Sequence, residues 1–512
     1  MLAWTVYISF LGTLVLLLLP KRAAVCSRCV ALGSALAGLA FGISAFIHHP
    51  HGGFFEVTQA AWIPSLGIKY HLAADGISLT LVLLTGLAAV AGILFSWNIE
   101  HRSREFFAFY LALIGGVYGV FLSFDLFLLF VFYEIAIIPK YFIIAIWGST
   151  RREYAAMKLA LYSFIGSAMV LIGLIAAYVV AGSHTFDLAE LSKYPFPREF
   201  QMWAFPLVFT GFAILAGLWP FHTWAPTGHV AAPTAASMLL AGVVMKLGAY
   251  GCLRVALTLF PGGLAPWETP FLGLGSWRDV FALLAAIGIV CGAMVALVQT
   301  DFKFVIGYSS VSHMGFVLLG LMTLNTVGVS GAVLQMFSHG VIAGLLFAVV
   351  GRMVYDRTHT RDLSELEGMR LASTLPFAAV VFVIAGVASM GMPGFSGFVA
   401  ELNILLGGWT SYPWLSLMAG AGIVIGVAYT LRVTQKAFFG GTNTSSFSAS
   451  PPPASVEEPH PIAPITIPEI LGSVLLVAAT LLIGLWPRLL LNPIINSFDS
   501  PLFDALKKGG WR

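Results

Sequence analysis

Charged side chains are scarce in this sequence. Of its 512 residues, 26 are Lys or Arg and 23 are Asp or Glu, so only 10% are charged, whereas soluble domains carry about a quarter. The net charge is only +3, and no basic tail or aromatic-basic patch indicates a nucleic-acid partner. This scarcity excludes a water-soluble enzyme of two or three domains.

Cysteines and the common catalytic motifs are also few or absent. The four cysteines, Cys26, Cys29, Cys252 and Cys291, have a spacing that fits no zinc or iron–sulfur framework. Cys26 and Cys29 form a lone CxxC without a second pair or a nearby histidine, and we interpret them as two small residues at the start of a helix. The sequence has no GxGxxG after a strand, Walker-type loop, HExxH or GxSxG. We therefore expect no cofactor on this chain and no metal site.

Long hydrophobic runs fill most of the chain. Hydrophobic residues make up 59% of it, and a membrane-spanning helix needs about 20 of them in succession. The runs are solidly apolar, which excludes the alternating pattern of an outer-membrane barrel. The pattern predicts an all-α polytopic membrane protein with about fourteen spans, near residues 3–20, 30–47, 77–97, 106–123, 125–147, 157–181, 203–222, 231–257, 277–299, 303–323, 328–354, 372–406, 413–438 and 468–488.

The ends and loops of these spans predict the topology. Met1–Pro20 is apolar and precedes its positive charges, so we expect a retained first span rather than a cleaved signal peptide. The low-complexity segment 440–464 predicts a flexible loop without chemistry. Loops after odd-numbered spans hold most of the Lys and Arg residues, which predicts that these loops are cytoplasmic and that both termini lie on the opposite side. These residues are Lys21, Arg22, Arg28, Arg102, Arg104, Arg151, Arg152, Lys303, Arg357, Arg361 and Arg370.

Two spans contain proline and glycine where a helix should be continuous. The seventh ends in Trp219–Pro226, and the twelfth contains Gly391–Gly397. Proline removes a backbone donor and clashes with the preceding turn, and lipid tolerates a broken helix only where protein or a water-filled cavity covers it. One broken helix in each half of the chain is typical of transporters built from inverted repeats. The alternative is two ordinary proline kinks.

A few ionisable residues interrupt the apolar runs. A charge at the bilayer centre costs about 2.5–3.5 kcal/mol, and burial brings carboxyl and amine pKa values towards neutrality, where histidine already titrates. Such a set predicts a proton relay. The alternatives are a structural role for a lone histidine and a lysine that merely extends to the interface, which applies most to Lys140 just after Pro139. The predicted relay residues are Glu134, Lys246, His313, His339 and Glu401.

Several motifs together resemble one membrane-protein family. They are Ala74–Leu79, Tyr133–Phe142, Pro220–Trp224, Ala232–Ala235, Leu239–Gly251, Tyr308–Phe316, Arg357–Asp362 and Gly391–Gly394. From about residue 65 to residue 440 the chain resembles the antiporter-like subunits of proton-translocating NADH:quinone oxidoreductase, respiratory complex I. Within this family, the fourteen spans fit a branch that lacks the extra helices and the long lateral helix of the longest members.

The resemblance implies a fold of two inverted five-helix repeats, at residues 106–257 and 277–438. Residues 1–105 would hold the first three helices, 439–467 a loop, and 468–512 a last helix and tail. By the same resemblance, Glu134 would be the charge-transmitting carboxylate, Lys246 the central lysine and Glu401 the terminal carboxylate. His313 and His339 would continue the hydrophilic axis between them.

The resemblance also implies the setting of the chain. NADH, flavin, iron–sulfur centres and quinone would be handled by other subunits, and this chain would bind no cofactor. Its partners would be other membrane-arm subunits of the L, N and K types and the lipid bilayer, in the cell inner (plasma) membrane. Two alternatives share the same fold: a cation/proton antiporter subunit of the multi-subunit sodium/proton type, and a divergent chain that no longer pumps.

The chain departs from the family pattern at two positions. Members usually carry a lysine five residues before Pro220, where this sequence has Leu215, and they tend to have aspartate where it has Thr227. A lysine at position 215 would pair with Glu134. We therefore predict that Glu134 has no direct lysine partner in its own repeat. Lys140 lies about 240° further around the same helix, and Lys158 is the nearest alternative partner.

Overall fold

The computed structural model describes residues 1–21, 23–440 and 462–508. Arg22 and most of the predicted loop 439–467 lie outside these residues. Most of the described chain is helical, because a long apolar segment in lipid must satisfy its backbone hydrogen bonds internally. Twelve of the described helical segments are long and apolar enough to cross a membrane. They correspond one to one with twelve of the fourteen predicted spans.

The α-helices follow one another with short connections. In chain order they are α1 Trp4–Leu18, α2 Ala24–His48, α3 Gly76–Phe95, α4 Ser103–Leu122, α5 Leu126–Trp147, α6 Arg152–Ala181, α7 Leu188–Leu191, α8 Arg198–Ala216, α9 Trp224–Ala231, α10 Thr234–Leu239, α11 Met245–Gly251, α12 Trp277–Val298, α13 Phe302–Met322, α14 Thr326–Ala348, α15 Asp356–Thr358, α16 Leu363–Glu367, α17 Leu371–Thr374, α18 Pro376–Ser389, α19 Ser396–Ser411, α20 Pro413–Thr434, α21 Ile467–Leu485, α22 Arg488–Ser497 and α23 Asp504–Lys508.

The two remaining predicted spans correspond to shorter helices. The first is α1, with 15 residues, which is about 22 Å long and so shorter than the roughly 30 Å of a bilayer core. The twelfth is divided into α18 with 14 residues and α19 with 16. The expected number of about fourteen segments therefore holds only if these shorter helices are counted as spans.

Both predicted helix breaks are present. Between α8 and α9 the chain turns at Gly217, whose φ is 87°, and makes a short 3-10 turn at Phe221–Thr223. Between α18 and α19 it turns at Gly391 and Gly394, with φ values of 74° and 98°. These left-handed conformations suit glycine, which has no Cβ. The breaks are full interruptions and not proline kinks, whereas α5 continues past Pro139.

A similar contact between a capped helix start and a later loop occurs once in each half of the chain, and it was not predicted from the sequence. We call each of these two contacts a junction. Asp125 caps α5 and Asp301 caps α13, each accepting bonds from the backbone N–H groups two and three residues later. Leu126 N–H donates to Phe186 O at 2.9 Å, and correspondingly Phe302 N–H donates to Arg361 O at 2.8 Å. Five predicted spans separate the two junctions, so they lie on opposite faces, as inverted repeats require.

A β-hairpin interrupts the otherwise helical chain, and it corrects the all-α expectation for residues 1–105. Strand β1, Phe55–Ile63, pairs antiparallel with β2, Ile68–Ala74. The hairpin is fastened to the junction of the first repeat, where His71 Nδ1 lies 2.8 Å from Asp187 Oδ2 and Lys69 N–H donates to Asp125 at 2.9 Å. The hairpin lies between the second and third predicted spans, a part of the chain to which the hydrophobic pattern assigned no structure.

Candidate proton-transfer axis

Lys246 lies in the eighth predicted span between two stretches of π-helix. These stretches, Leu240–Val244 and Cys252–Leu257, flank α11 within one continuous helix. A π-turn displaces backbone groups from the regular hydrogen-bond pattern and is frequent at functional sites. Here the Lys246 ammonium, which has no exposed surface, donates to the Ala241 carbonyl one π-turn earlier. The same Nζ lies 2.8 Å from His339 Nδ1 on α14.

His339 and His313 continue the line from Lys246. Their rings, on α14 and α13, have centroids 5.4 Å apart, and His339 Nε2 has no hydrogen-bond partner in the described part of the chain. A cavity of about 10 Å³ lies beside them, lined by both histidines together with Gln335, Ser389 and Glu401. That volume holds about one water molecule. The cavity beside the two rings is therefore lined in part by polar groups and has room for about one water molecule.

Glu401 ends the line behind the second helix break. Its Oε1 lies 3.2 Å from His313 Nδ1, and the Gln335 amide donates to the same oxygen at 3.3 Å. A Cβ added at Gly391 would come within 2.8 Å of Glu401 Oε2. The break therefore supplies the space for this carboxylate, which is only 4% exposed.

The structure thus brings together four of the five predicted residues. Lys246, His339, His313 and Glu401 form one polar line across α11, α14, α13 and α19. Glu134, on α5, stands apart from them. It is half-buried. Within the described residues its Oε1 has no hydrogen-bond partner, and no Lys or Arg nitrogen lies within 4.0 Å of its carboxylate.

The absence of a direct lysine partner for Glu134 agrees with the prediction made from Leu215. Leu215 is buried at the end of α8 and is 1% exposed. Lys158, the alternative partner, donates instead to Thr227 Oγ1 at 3.4 Å. Ser167 on α6 and Lys140 on α5 are polar neighbours of Glu134.

Three polar residues that lie along or beside this line were not predicted from the sequence. Gln335 contacts both His313 and Glu401, and Ser389 lies 3.2 Å from His313 Nε2. His229, on α9, is fully buried, with both ring nitrogens unpartnered in the described residues, and its ring lies 5.0 Å from that of Phe347. Gln335 precedes His339 by one helical turn, a spacing that could have indicated a shared face.

The described residues hold no cluster of three or more His, Cys, Asp or Glu side chains placed to bind a metal ion. Cys26 and Cys29 are exposed, Cys252 is buried, and all four cysteines have free thiols. The groups along the line from Lys246 to Glu401 are an amine, two imidazoles and a carboxyl group, which can exchange protons with one another.

Known proteins resemble this chain over most of its length. The family described as NADH:quinone oxidoreductase/Mrp antiporter, TM, matches residues 123–426. The chain is 39% identical to NADH-quinone oxidoreductase subunit M of Rhodobacter capsulatus over 86% of this chain and 83% of that protein. It is 35% identical to an NAD(P)H-quinone oxidoreductase chain 4 of Synechococcus sp. (strain JA-2-3B'a(2-13)), over 89% and 84% of the two chains.

Solved structures also match the fold of this chain. A chain of respiratory complex I from Thermus thermophilus superimposes with a TM-score of 0.85 and 29% identity, covering 98% of this chain and 100% of that one. A chain of the Mrp complex from Dietzia sp. superimposes with a TM-score of 0.82 at 22% identity, over 98% and 97% of the two chains, which is a likeness of fold alone. By the extent of these matches in sequence, this chain belongs to the family of transmembrane subunits shared by NADH:quinone oxidoreductases and Mrp antiporters.

Proposed function

We propose that this chain is a proton-translocating membrane-arm subunit of an NADH:quinone oxidoreductase. The relatives named subunit M and chain 4 support this assignment. NADH oxidation and quinone reduction would take place on other subunits, and this chain would contribute to the enzyme as its proton-moving part. Its partners would be membrane-arm subunits of the L, N and K types, in a bacterial plasma membrane with both termini on the non-cytoplasmic side.

Protons would move along Lys246, His339, His313 and Glu401, and Glu134 would respond to charge at the other end of the first repeat. The observation that carries this proposal is the 2.8 Å contact of Lys246 with His339 and its continuation to Glu401. An imidazole can accept a proton on one nitrogen while it donates from the other. The two histidines can therefore pass a proton between the amine and the carboxylate without a change in fold.

The surroundings of Lys246 suit a group that changes charge. When protonated, its ammonium donates to the Ala241 carbonyl, which compensates part of the cost of burial. When neutral, the amine can accept a proton back from His339. No carboxylate lies within 4.0 Å of Lys246 among the described residues, so no ion pair holds it permanently protonated.

The test is proton pumping by sealed, NADH-energised membrane vesicles that contain the whole complex. Lys246→Met and Glu134→Gln keep side-chain size but cannot exchange a proton at these positions. We expect each to lower pumping and coupled quinone reduction by at least about tenfold, with assembly nearly intact. Lys193→Met, in the loop before α8, serves as the control. Wild-type pumping by both variants would overturn the proposed function.

The cation/proton antiporter alternative is supported by the Mrp structure only at the level of fold. The same vesicles separate the two. A redox-driven pump acidifies them on addition of NADH in sodium-free buffer, whereas an antiporter requires an imposed ion gradient. The non-pumping alternative predicts no change in pumping from either variant.

A further inference from the structure

Lys140 is a buried lysine that the axis above does not use. It lies on α5 directly after Pro139, and its side chain has no exposed surface. It therefore does not extend to the membrane interface, which was the simple alternative. In the described residues it forms no ion pair within 4.0 Å, and its one hydrogen bond is donated to Ser163 Oγ at 3.3 Å.

An ammonium in this position is incompletely satisfied. It carries three N–H donors, of which one is used, and its other polarisable neighbour is the ring of Trp224, with the centroid 6.0 Å from Nζ. That distance is the outer limit of a cation–π contact. A lysine with so few partners is stabilised only weakly in its protonated form, and this is what a group that releases and regains a proton requires.

Two serines of α6 link Lys140 to Glu134. Ser163 receives the hydrogen bond from Lys140. Ser167, one helical turn further on, is a polar neighbour of Glu134, and its hydroxyl donates to the Phe164 carbonyl at 3.4 Å. Glu134 Oε1 has no hydrogen-bond partner among the described residues. Since a hydroxyl can accept one hydrogen bond while donating another, the two serines place groups able to relay a proton between an amine and a carboxylate that do not touch.

Lys140 also lies against the first helix break. Trp224 is the first residue of α9, and its indole N–H donates across the break to the Ile214 carbonyl of α8 at 2.8 Å. Lys140 is therefore in contact with α6 and with the interrupted seventh span. A change in the charge of Lys140 would alter its interactions with both α6 and the seventh span.

We propose that Lys140 is a proton-carrying residue of the first repeat that exchanges its proton with Glu134 across Ser163 and Ser167. This inference rests on the proposed function. In the forward step the Lys140 ammonium loses one proton and becomes a neutral amine, and the Glu134 carboxylate gains one and becomes a neutral carboxylic acid. The reverse step restores both charges, and no other reactant is needed.

The test uses the same vesicles and compares Lys140→Met with Lys140→Arg. Methionine cannot carry the proton, and arginine keeps the positive charge but does not release it. We expect both variants to pump at least about tenfold more slowly than the wild type, with the complex assembled in normal amount on native gels. Lys158→Met, on α6, is the matched control and should pump at the wild-type rate.

Normal pumping by either Lys140 variant overturns the inference. Wild-type pumping by Lys140→Met shows that the lysine is not needed, and wild-type pumping by Lys140→Arg shows that only its charge matters. If the Lys140 variants do not assemble, the Ser163→Ala/Ser167→Ala double variant decides, because slow pumping in an assembled complex supports the path and normal pumping contradicts it. Should Lys246→Met and Glu134→Gln pump normally, the proposed function itself fails. If they pump slowly and the Lys140 variants do not, only this inference falls.

Discussion

At the scale of single residues, Gly391 is placed to shape the end of the polar line from Lys246 to Glu401. It occupies the left-handed region with φ of 74°, and its missing side chain leaves room for Glu401. Proline and glycine in this motif predicted the break from the sequence. The sequence also placed Glu401 just after the break, but the approach of its carboxylate to Gly391 was not predictable, because the turn itself brings these two groups together.

Gly391→Ala should therefore weaken both the fold and the function. A non-glycine residue in the left-handed region costs roughly 1–2 kcal/mol, and the new Cβ would press on Glu401 Oε2. We expect lower thermal stability of the purified complex and slower proton pumping. Gly420→Ala, in α20, is the control, since no atom lies within 4 Å of its added Cβ. A variant at Gly391 that matches this control in both measurements would contradict the expectation.

At the scale of elements, one buried ion pair joins α3 to the first repeat. Asp75 caps α3 by accepting the Ser78 N–H, and its carboxylate also lies 2.6 Å from Arg254 Nη2, with neither side chain exposed. Tyr250 lies beside it, and Arg254 Nε donates to its hydroxyl at 3.2 Å. Sequence analysis noted Asp75 only as part of a motif, because its partner is 179 residues away in the chain.

Breaking this pair from one side should be strongly destabilising. Asp75→Ala leaves Arg254 buried and unpaired, which costs about 3–5 kcal/mol. Replacing both residues, Asp75→Asn with Arg254→Met, should recover part of that loss because no charge is left buried. The measurement is the midpoint of thermal unfolding of the detergent-solubilised complex. Asp499→Ala, which breaks an exposed pair with Lys507, should cost about 0–1 kcal/mol, and an equal loss from Asp75→Ala would disprove the reasoning.

The attachment of the β-hairpin should depend on pH. Burial acts to raise the pKa of Asp187, but the hydrogen bond and charge of His71, the backbone N–H of Glu190 and the charge of Lys69 together outweigh it, so the pKa lies below its ordinary value of 3.8. A lowered carboxyl pKa contributes stability that is present above the ordinary pKa and is lost as pH falls through the folded value. We therefore expect the hairpin to stay protected from proteolysis at pH 5 and to become susceptible only below about pH 4.

Asp187→Asn provides the comparison for this pH dependence. The amide cannot ionise, so the acid-induced change in hairpin cleavage should disappear while some cleavage occurs at every pH. Identical acid profiles for the wild type and this variant would assign the pH dependence to another group.

At the scale of the whole molecule, the last described segment is held by a cluster of charges. Glu469 on α21 is 1% exposed and lies 2.6 Å from Arg352 Nε and 2.7 Å from Arg357 Nη2. Arg357 also donates to the carbonyls of Ala463 and Pro464. Residues 462–508 are thus joined to the end of the eleventh span by contacts that do not depend on the connection through residues 441–461.

The chain should accordingly assemble from two pieces. When residues 1–450 and 451–512 are co-expressed as separate polypeptides, we expect the smaller piece to copurify with the larger one and with the complex. Glu469→Ala in the smaller piece should reduce its recovery, because the guanidinium groups of Arg352 and Arg357 lose the carboxylate that they share. Ser473→Ala, on the same helix, is the control. Failure of the unaltered pieces to associate would show that the covalent connection is required.

The sequence by itself determined which segments are membrane-spanning helices and where two of these helices break. Long apolar runs must be helices in lipid because they have no other way to pair their backbone groups, and proline with glycine breaks a helix through local geometry alone. The rarity of charge in these runs singled out Glu134, Lys246 and Glu401, and the missing lysine at Leu215 predicted the isolation of Glu134. The repeated segments Thr185–Leu191 and Thr360–Leu366, which share the pattern T-x-D-L-x-E-L, could also have been found, and they mark the two junctions.

Only the tertiary structure decided which of these groups meet. A helix that is apolar on all sides gives no periodic signal for the face that it turns inward, so the rotation of α11, α13, α14 and α19 about their axes was not predictable from the sequence. Those rotations place Lys246 against His339 and His313 against Glu401. The rotations of α5 and α6 likewise bury Lys140 against Ser163 instead of extending it to the interface. The physical reason is that helix formation depends on hydrogen bonds within one segment, whereas the polar line depends on packing between segments far apart in the chain.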